Sequence, residues 1–263
     1  MRQIKDIQGL KDSFLSVNLR IKRQVESRIT RPYKDCENLG SRIYGIISYY
    51  RTRAILEYLL NADLNAFFED LNREALTYVT LLQAYHHKLD VPESRINGST
   101  YYPLVCALAG NNFKLSNEID NLMLKAFGEY DSEELFTYTT MLRKLVIDNN
   151  SEIINAFDAF KAACKGFLRY DHKIKAIQGL INNDAETFNS GLLGYLESFA
   201  NLSYAEAEEM DPGEEYIDLE SLAFIQLAKR KNIPITIEHE MIPKKLQDAK
   251  LIIPTAGYPS WPG

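Results

Sequence analysis

Few of the side chains that make chemistry legible are present. Only four histidines occur, His86, His87, His172 and His239. The adjacent pair at 86 and 87 points to different sides of a helix, whereas a two-histidine metal grip on a helix needs a spacing of four. Neither His-Glu-x-x-His nor Cys-x-x-Cys is found, so no metal site is expected. The three cysteines, Cys36, Cys106 and Cys164, are odd in number, far apart and set among apolar helical neighbours. They read as reduced core thiols, not as a disulfide framework or a zinc site. No glycine cluster follows a strand and opens a helix, which excludes a phosphate-cradling nucleotide loop. No Gly-x-Ser-x-Gly elbow supports a serine hydrolase. The expectation is a protein with no catalytic residues and no cofactor.

Long apolar runs are missing as well, and no stretch approaches membrane-spanning length. The opening Met1-Arg2-Gln3-Ile4-Lys5-Asp6-Ile7-Gln8-Gly9 carries charges where a secretory signal needs an apolar core. A cytosolic protein without membrane contact is expected. Polar low-complexity tracts are absent too, and 46% hydrophobic content over 263 residues suffices for a large core. One elongated domain over residues 1–263 is the expectation.

What the chain does have is helical periodicity. Leu64, Phe67, Phe68, Leu71, Ala75, Val79, Leu82 and Tyr85 recur every three or four residues and form one apolar stripe on a helix of about six turns. Ile153, Phe157, Phe160 and Cys164 repeat the pattern, as do Leu135, Tyr138, Leu142 and Leu145, and Phe188, Leu192, Tyr195, Phe199 and Leu202. About nine helices are predicted. The breaks between them resemble one another: Leu60-Asn61-Ala62-Asp63, Leu108-Ala109-Gly110-Asn111-Asn112, Ile147-Asp148-Asn149-Asn150-Ser151 and Ile181-Asn182-Asn183-Asp184. Asn, Gly and Asp tolerate left-handed backbone at a helix end or cap the next start. Such short turns force antiparallel neighbours. Breaks at Asn112, Asn150 and Asp184 lie 38 and 34 residues apart, a spacing typical of stacked helical hairpins.

The predicted fold class is therefore all-α. A basic N-terminal helix occupies residues 1–31, closed by Pro32, and a solenoid-like array of degenerate, tetratricopeptide-like hairpins occupies 38–232. A short extended, proline-rich tail at 233–263 is laid against the helices by Leu251, Ile252, Ile253 and Trp261.

Charge is polarised along the chain. Residues 1–53 carry twelve Lys/Arg against five acids, whereas between Lys175 and Lys229 there are eleven Asp/Glu and no Lys or Arg. Eight of those acids fall in Glu206 to Glu220. One expectation is an internal complement to the basic N-terminal helix or a solvated loop. The other is a docking surface for a basic protein, with contacts at Tyr204, Glu206, Glu208, Glu209, Glu214, Glu215, Tyr216 and Asp218. A net charge of -6 and the lack of any recognised module disfavour nucleic acid as a partner. Tyr49-Tyr50, Tyr101-Tyr102, Tyr130, Tyr138, Tyr170, Tyr195 and Tyr204 could supply either core packing or a binding face.

The stretch Tyr216-Ile217-Asp218-Leu219-Glu220-Ser221-Leu222-Ala223-Phe224-Ile225-Gln226-Leu227-Ala228-Lys229-Arg230-Lys231-Asn232-Ile233-Pro234-Ile235, followed by Ile242-Pro243-Lys244-Lys245-Leu246, resembles the immunity protein 49 family of bacterial polymorphic-toxin systems. The resemblance extends over about residues 38 to 246 and is compositional, so it transfers no site residues. It implies a cytosolic antidote that binds a cognate protein toxin domain, basic at the contact face, and occludes its active site. A homodimer fits the same reading. The alternatives are a helical-repeat adaptor or regulatory scaffold with no toxin client, and a helical enzyme using His86 or His87 with Asp90, or with Glu69 and Asp70.

Overall fold

The computed structural model describes residues 6–29, 39–147, 150–200, 210–255 and 257–260. Among them are eleven α-helices and no strand. We number them α1 (Ile7–Ile29), α2 (Leu39–Asn61), α3 (Leu64–His86), α4 (Tyr102–Ala109), α5 (Phe113–Leu122), α6 (Glu133–Ile147), α7 (Asn150–Ala163), α8 (Asp171–Asn182), α9 (Ala185–Ala200), α10 (Leu219–Arg230) and the single turn α11 (Lys244–Gln247). The all-helical class and the pairing of consecutive helices are as expected: α2 packs along α3, α6 along α7 and α8 along α9.

The helix breaks behave as their residue types dictate. Ala62, Asn111 and Asn183 have positive φ of 54, 57 and 52°, the left-handed backbone that stops one helix and turns the chain toward the next. Asp63 and Asn112 then cap the following helices, their side-chain oxygens accepting from the N–H groups of Ala66 (3.0 Å) and Leu115 (3.1 Å). Asp184 likewise accepts from the N–H groups of Glu186 and Thr187 at the start of α9.

Two helices are buried on every side and define the middle of the molecule. In α4 every residue from Pro103 to Ala109 is buried, and in α10 every residue from Leu219 to Ala228. The two pack against each other, with α3 and α5 around α4, and α8 beside α10. A helix apolar all round has no face to offer water and settles in the interior. The few polar residues that α10 carries inward need internal partners, and Gln226 finds one in the Gln247 carbonyl (2.8 Å). A smaller cluster of Val17, Ile21, Ile46 and Tyr50 joins α1 to α2.

The C-terminal segment departs from expectation in how it is held. Leu251 and Ile253 face solvent, 47% and 66% exposed, and only Ile252 of the three packs on the core; Trp261 lies outside the described residues. The segment docks through backbone instead: the Tyr50 hydroxyl donates to the Gly257 carbonyl (2.5 Å) and the Thr80 hydroxyl to that of Pro259 (2.9 Å). Prolines leave carbonyls without local partners, and side-chain hydroxyls on α2 and α3 take them up.

The close approach of α8 to α9 depends on a missing side chain. A Cβ at Gly179 of α8 would fall 2.2 Å from the backbone nitrogen of Phe188 and 2.5 Å from its Cα. That neighbour is backbone and cannot rotate aside. Gly179→Ala is expected to destabilise the fold by about 1–3 kcal/mol through overpacking, despite alanine's better helix propensity. A lower denaturant midpoint at unchanged slope checks this.

Candidate functional site

The centre of the molecule holds a buried network of charged and phenolic side chains. Arg51 of α2 is buried, and each of its three guanidinium nitrogens has its own carboxylate: Nη1 to Glu74 Oε1 (3.0 Å), Nε to Glu214 Oε1 (2.9 Å) and Nη2 to Asp211 Oδ2 (2.7 Å). Its plane also lies over the Tyr102 ring, 4.0 Å from the centroid. The three carboxylates come from α3 and from the turn preceding α10, so one side chain ties α2, α3, α4 and that turn together. Arginine suits the place because its planar fork satisfies several acceptors and stacks on an aromatic face at once.

A second buried cation sits beyond Tyr101 and Tyr102. Lys173 of α8 reaches Glu220 Oε2 of α10 at 2.5 Å. Its ammonium lies 4.7, 4.9 and 5.7 Å from the ring centroids of Tyr138, Tyr195 and Tyr170. Tyr195 also donates to Glu220 (3.2 Å). Three aromatic faces and one carboxylate therefore replace the water that Lys173 gives up. Asp218 next to it is buried and spends its oxygens on the N–H groups of Glu220 (2.8 Å) and Ser221 (3.2 Å) and on the Ser221 hydroxyl (3.0 Å).

The stacked pair Tyr101 and Tyr102, ring centroids 4.5 Å apart, is a partition between two cavities. On the Lys173 side lies a small one of about 140 Å³, bounded by Asp218, Glu220 and Tyr195. On the Arg51 side lies one of about 450 Å³ with Arg51, Glu74 and Tyr78 among its walls. Its mouth is formed by Tyr130, Ser132 and Leu135. Tyr130 at this lip belongs to an exposed loop that is both aromatic and acidic: Phe127 is 58% exposed and Tyr130 54%, Glu129 and Glu133 are exposed near them in the chain, and Phe127 makes an edge-on contact with Phe136 (5.3 Å).

Burial dominates the proton equilibria here. The Glu74 carboxyl, fully enclosed, is pushed up to about 7 by desolvation, which outweighs the pull of Arg51. Arg51 is itself held well above its ordinary value because Glu74 and Glu214 favour its charge more than burial opposes it. The two directions are compatible: one guanidinium is divided among three acids, and the most enclosed acid gains least. Glu214 and Asp218 are raised by burial as well, and the Cys106 thiol beside Glu74 is raised for the same reason.

The residues expected to meet a partner are placed as follows. Tyr204, Glu206, Glu208 and Glu209 lie outside the described residues. Glu214 is paired with Arg51, and Asp218 is 4% exposed, so both face inward and neither is available at the surface. Glu215 is half-buried, accepting from the Gly213 N–H (3.0 Å), and Tyr216 is half-buried against the core. The described part of the acidic segment is thus largely an internal complement, to Arg51 of α2 and Lys173 of α8. Tyr101, Tyr102, Tyr138, Tyr170 and Tyr195 converge around these cations, while Tyr130 stands at the lip.

Of the acids considered with the histidines, Glu69 and Asp70 are held by arginines. His86 Nε2 lies 2.8 Å from the Leu122 carbonyl and its ring packs edge-on with Tyr85. Asp70, sixteen residues earlier on the same helix and so about 24 Å away, is bound by Arg53 and Arg73. Sequence reading missed Arg51, Glu74, Lys173 and Glu220, although a signal existed: Glu74 stands three residues after Leu71 and four before Tyr78, on the apolar stripe of α3.

A carboxyl raised on folding binds more protons folded than unfolded between its two values. The stability it lends is complete below about 4.5 and is lost as pH rises through about 7. Stability is therefore expected to fall by roughly 1–3 kcal/mol between pH 5 and 8, and Glu74→Gln should flatten that slope above pH 6. Removing the guanidinium is the harsher change: Arg51→Met leaves three acids uncompensated and should cost about 3–5 kcal/mol at pH 8, with a smaller loss at pH 5. Urea unfolding across pH measures both. Comparison with protein-family models, curated proteins and solved structures finds no match for this chain.

Proposed function

We propose that this protein acts by binding another protein, and that, as the resemblance to the immunity protein 49 family implies, the partner is a cognate toxin domain whose active site it covers. The observation that carries the reading is a loop of exposed Phe127, Glu129, Tyr130 and Glu133, of which Tyr130 lines a preformed cavity. Exposed aromatics on a rigid frame are the usual anchors of protein interfaces, and surrounding acids speed the approach of a basic partner. The other charged groups of the centre are engaged in holding helices together, so the surface, not the interior pairs, meets the partner. The contact we propose is therefore at residues 127–135 and away from Glu214 and Asp218.

Co-expression with the C-terminal domain of the protein encoded by the gene immediately upstream tests the reading, scoring growth and then a complex on a sizing column. Restored growth with a stable complex is expected; continued toxicity without any complex defeats it. A helical adaptor would bind through the same lip but would not restore growth. Within the complex, Phe127→Asp and Tyr130→Ala should each weaken affinity by about 10–100-fold, read by calorimetry. Leu168→Asp, on the exposed turn between α7 and α8, should leave it unchanged. Equal loss from all three would place the contact elsewhere.

A further inference from the structure

We infer that the cavity beneath Tyr130 is a receptor for one basic side chain of the partner, best matched by a guanidinium. The inference rests on the protein-binding reading above and names what enters.

Two buried polar groups in the cavity wall have hydrogen-bonding capacity left unfilled. Glu74 and Tyr78 are both fully buried in the wall of the cavity. Glu74 Oε1 is taken by Arg51, while Glu74 Oε2 makes no hydrogen bond of normal geometry even though the Cys106 thiol adjoins it. The Tyr78 hydroxyl, near Thr100, makes none either. A buried carboxylate oxygen left this way costs roughly 1–3 kcal/mol or more, and a ligand bearing N–H donors relieves it.

Charge selects the class of ligand. Arg51 is the cation in the cavity wall, and its three nitrogens already serve Glu74, Glu214 and Asp211. With Arg51 committed in this way an incoming anion finds no free donor on it, whereas the second oxygen of Glu74 offers an incoming cation an acceptor. Glu129 and Glu133 are exposed in the loop that carries Tyr130, while Asp131 is occupied by the Ser99 N–H and hydroxyl and by the Gly128 N–H.

Shape narrows the cation to a flat one. The walls are Tyr44, Tyr101, Tyr102 and Tyr130, and two of these already carry guanidinium groups of the protein itself: Arg95 lies 4.6 Å from the Tyr44 centroid and Arg51 lies 4.0 Å from that of Tyr102. An incoming arginine can enter under the Tyr130 ring and donate to Glu74 Oε2 and the Tyr78 oxygen. A volume of about 450 Å³ is within the range of sites that enclose a ligand group of this size.

Binding is coupled to a proton. Glu74 faces Arg51 from α2, Tyr102 and Cys106 from α4, and Glu214 from the turn before α10, with Asp211 on the far side of Arg51. A cation held at Oε2 requires the ionised carboxylate, so its affinity rises as pH goes from 6 to 8.

The probes are N-acetyl-arginine methylamide, its neutral citrulline isostere and N-acetyl-glutamate methylamide, titrated into the full chain by NMR with tyrosine resonances as the readout. The expected result is saturable shifts with the arginine probe, binding at least 10-fold weaker for citrulline, and no saturable shift with glutamate. Affinity for arginine should rise several-fold from pH 6 to 8 and fall about 10-fold in Glu74→Gln, with the pH dependence lost. Tyr130→Ala, exposed and outside the core, should weaken arginine binding and supplies a variant whose folding is not at stake. Citrulline bound as tightly as arginine, or glutamate preferred, overturns the inference. A toxin complex that forms and protects while the arginine probe fails to bind removes the receptor and keeps the protein-binding reading. A bound arginine probe with no toxin complex keeps the cation site and removes that reading.

Discussion

The structure depends on Arg51. A guanidinium removed from water must find acceptors for its fork, and this one finds three, on α3 and on the turn before α10, with Tyr102 of α4 beneath it. Helix packing alone would let these elements slide by a side chain or a turn; a charge shared at 2.7–3.0 Å fixes their register. Buried ion pairs seldom add net stability, because desolvation consumes what attraction returns. Their effect here is specificity: every arrangement that separates Arg51 from Glu74 strands a charge in an apolar interior.

Lys173 repeats the device with different means. An ammonium has no plane to stack, so it is surrounded instead, by Tyr138, Tyr170 and Tyr195, and neutralised by Glu220. The two cations stand on opposite sides of the Tyr101 and Tyr102 stack, which separates them and gives each cavity a wall. Because α10 brings Glu220 and Asp218 to one cation while the turn before it brings Glu214 and Asp211 to the other, the same stretch of chain locks both halves. That is where Asp211, Glu214, Asp218 and Glu220 of the acid-rich sequence go.

The fold was largely legible because it is written in local terms. The stripe from Leu64 to Tyr85 and the caps at Asp63, Asn112 and Asp184 depend on residues a few positions apart, and helix ends fell within a residue or two of the breaks read from sequence. The site was not legible, since its members lie 23 to 163 residues apart and no local pattern links Arg51 to Glu214. Polarity of charge along the chain was seen, and its two ends do meet, but as a buried complement: the excess of acids between 206 and 220 reads identically whether those acids face water or a partner inside. Leu251 and Ile253 show the opposite error, in which apolar character in a proline-rich segment suggested burial while the chain was held by its backbone carbonyls.

Those facts bear on where a partner can act. A surface that must rearrange to bind loses affinity to the cost of ordering, whereas a cavity whose walls are set by buried ion pairs has met that cost at folding. The Arg51 network holds Glu74 and Tyr102 in place whether or not anything occupies the space between Tyr78 and Tyr130. The acid that lacks a full complement of donors is also the one whose burial is greatest, so its protonation, the stability of the α2–α3–α4 junction and the occupancy of the cavity are linked through a single carboxyl group. Whatever enters with positive charge must compete with a proton at Glu74, and by the same linkage it strengthens the clamp that built the site.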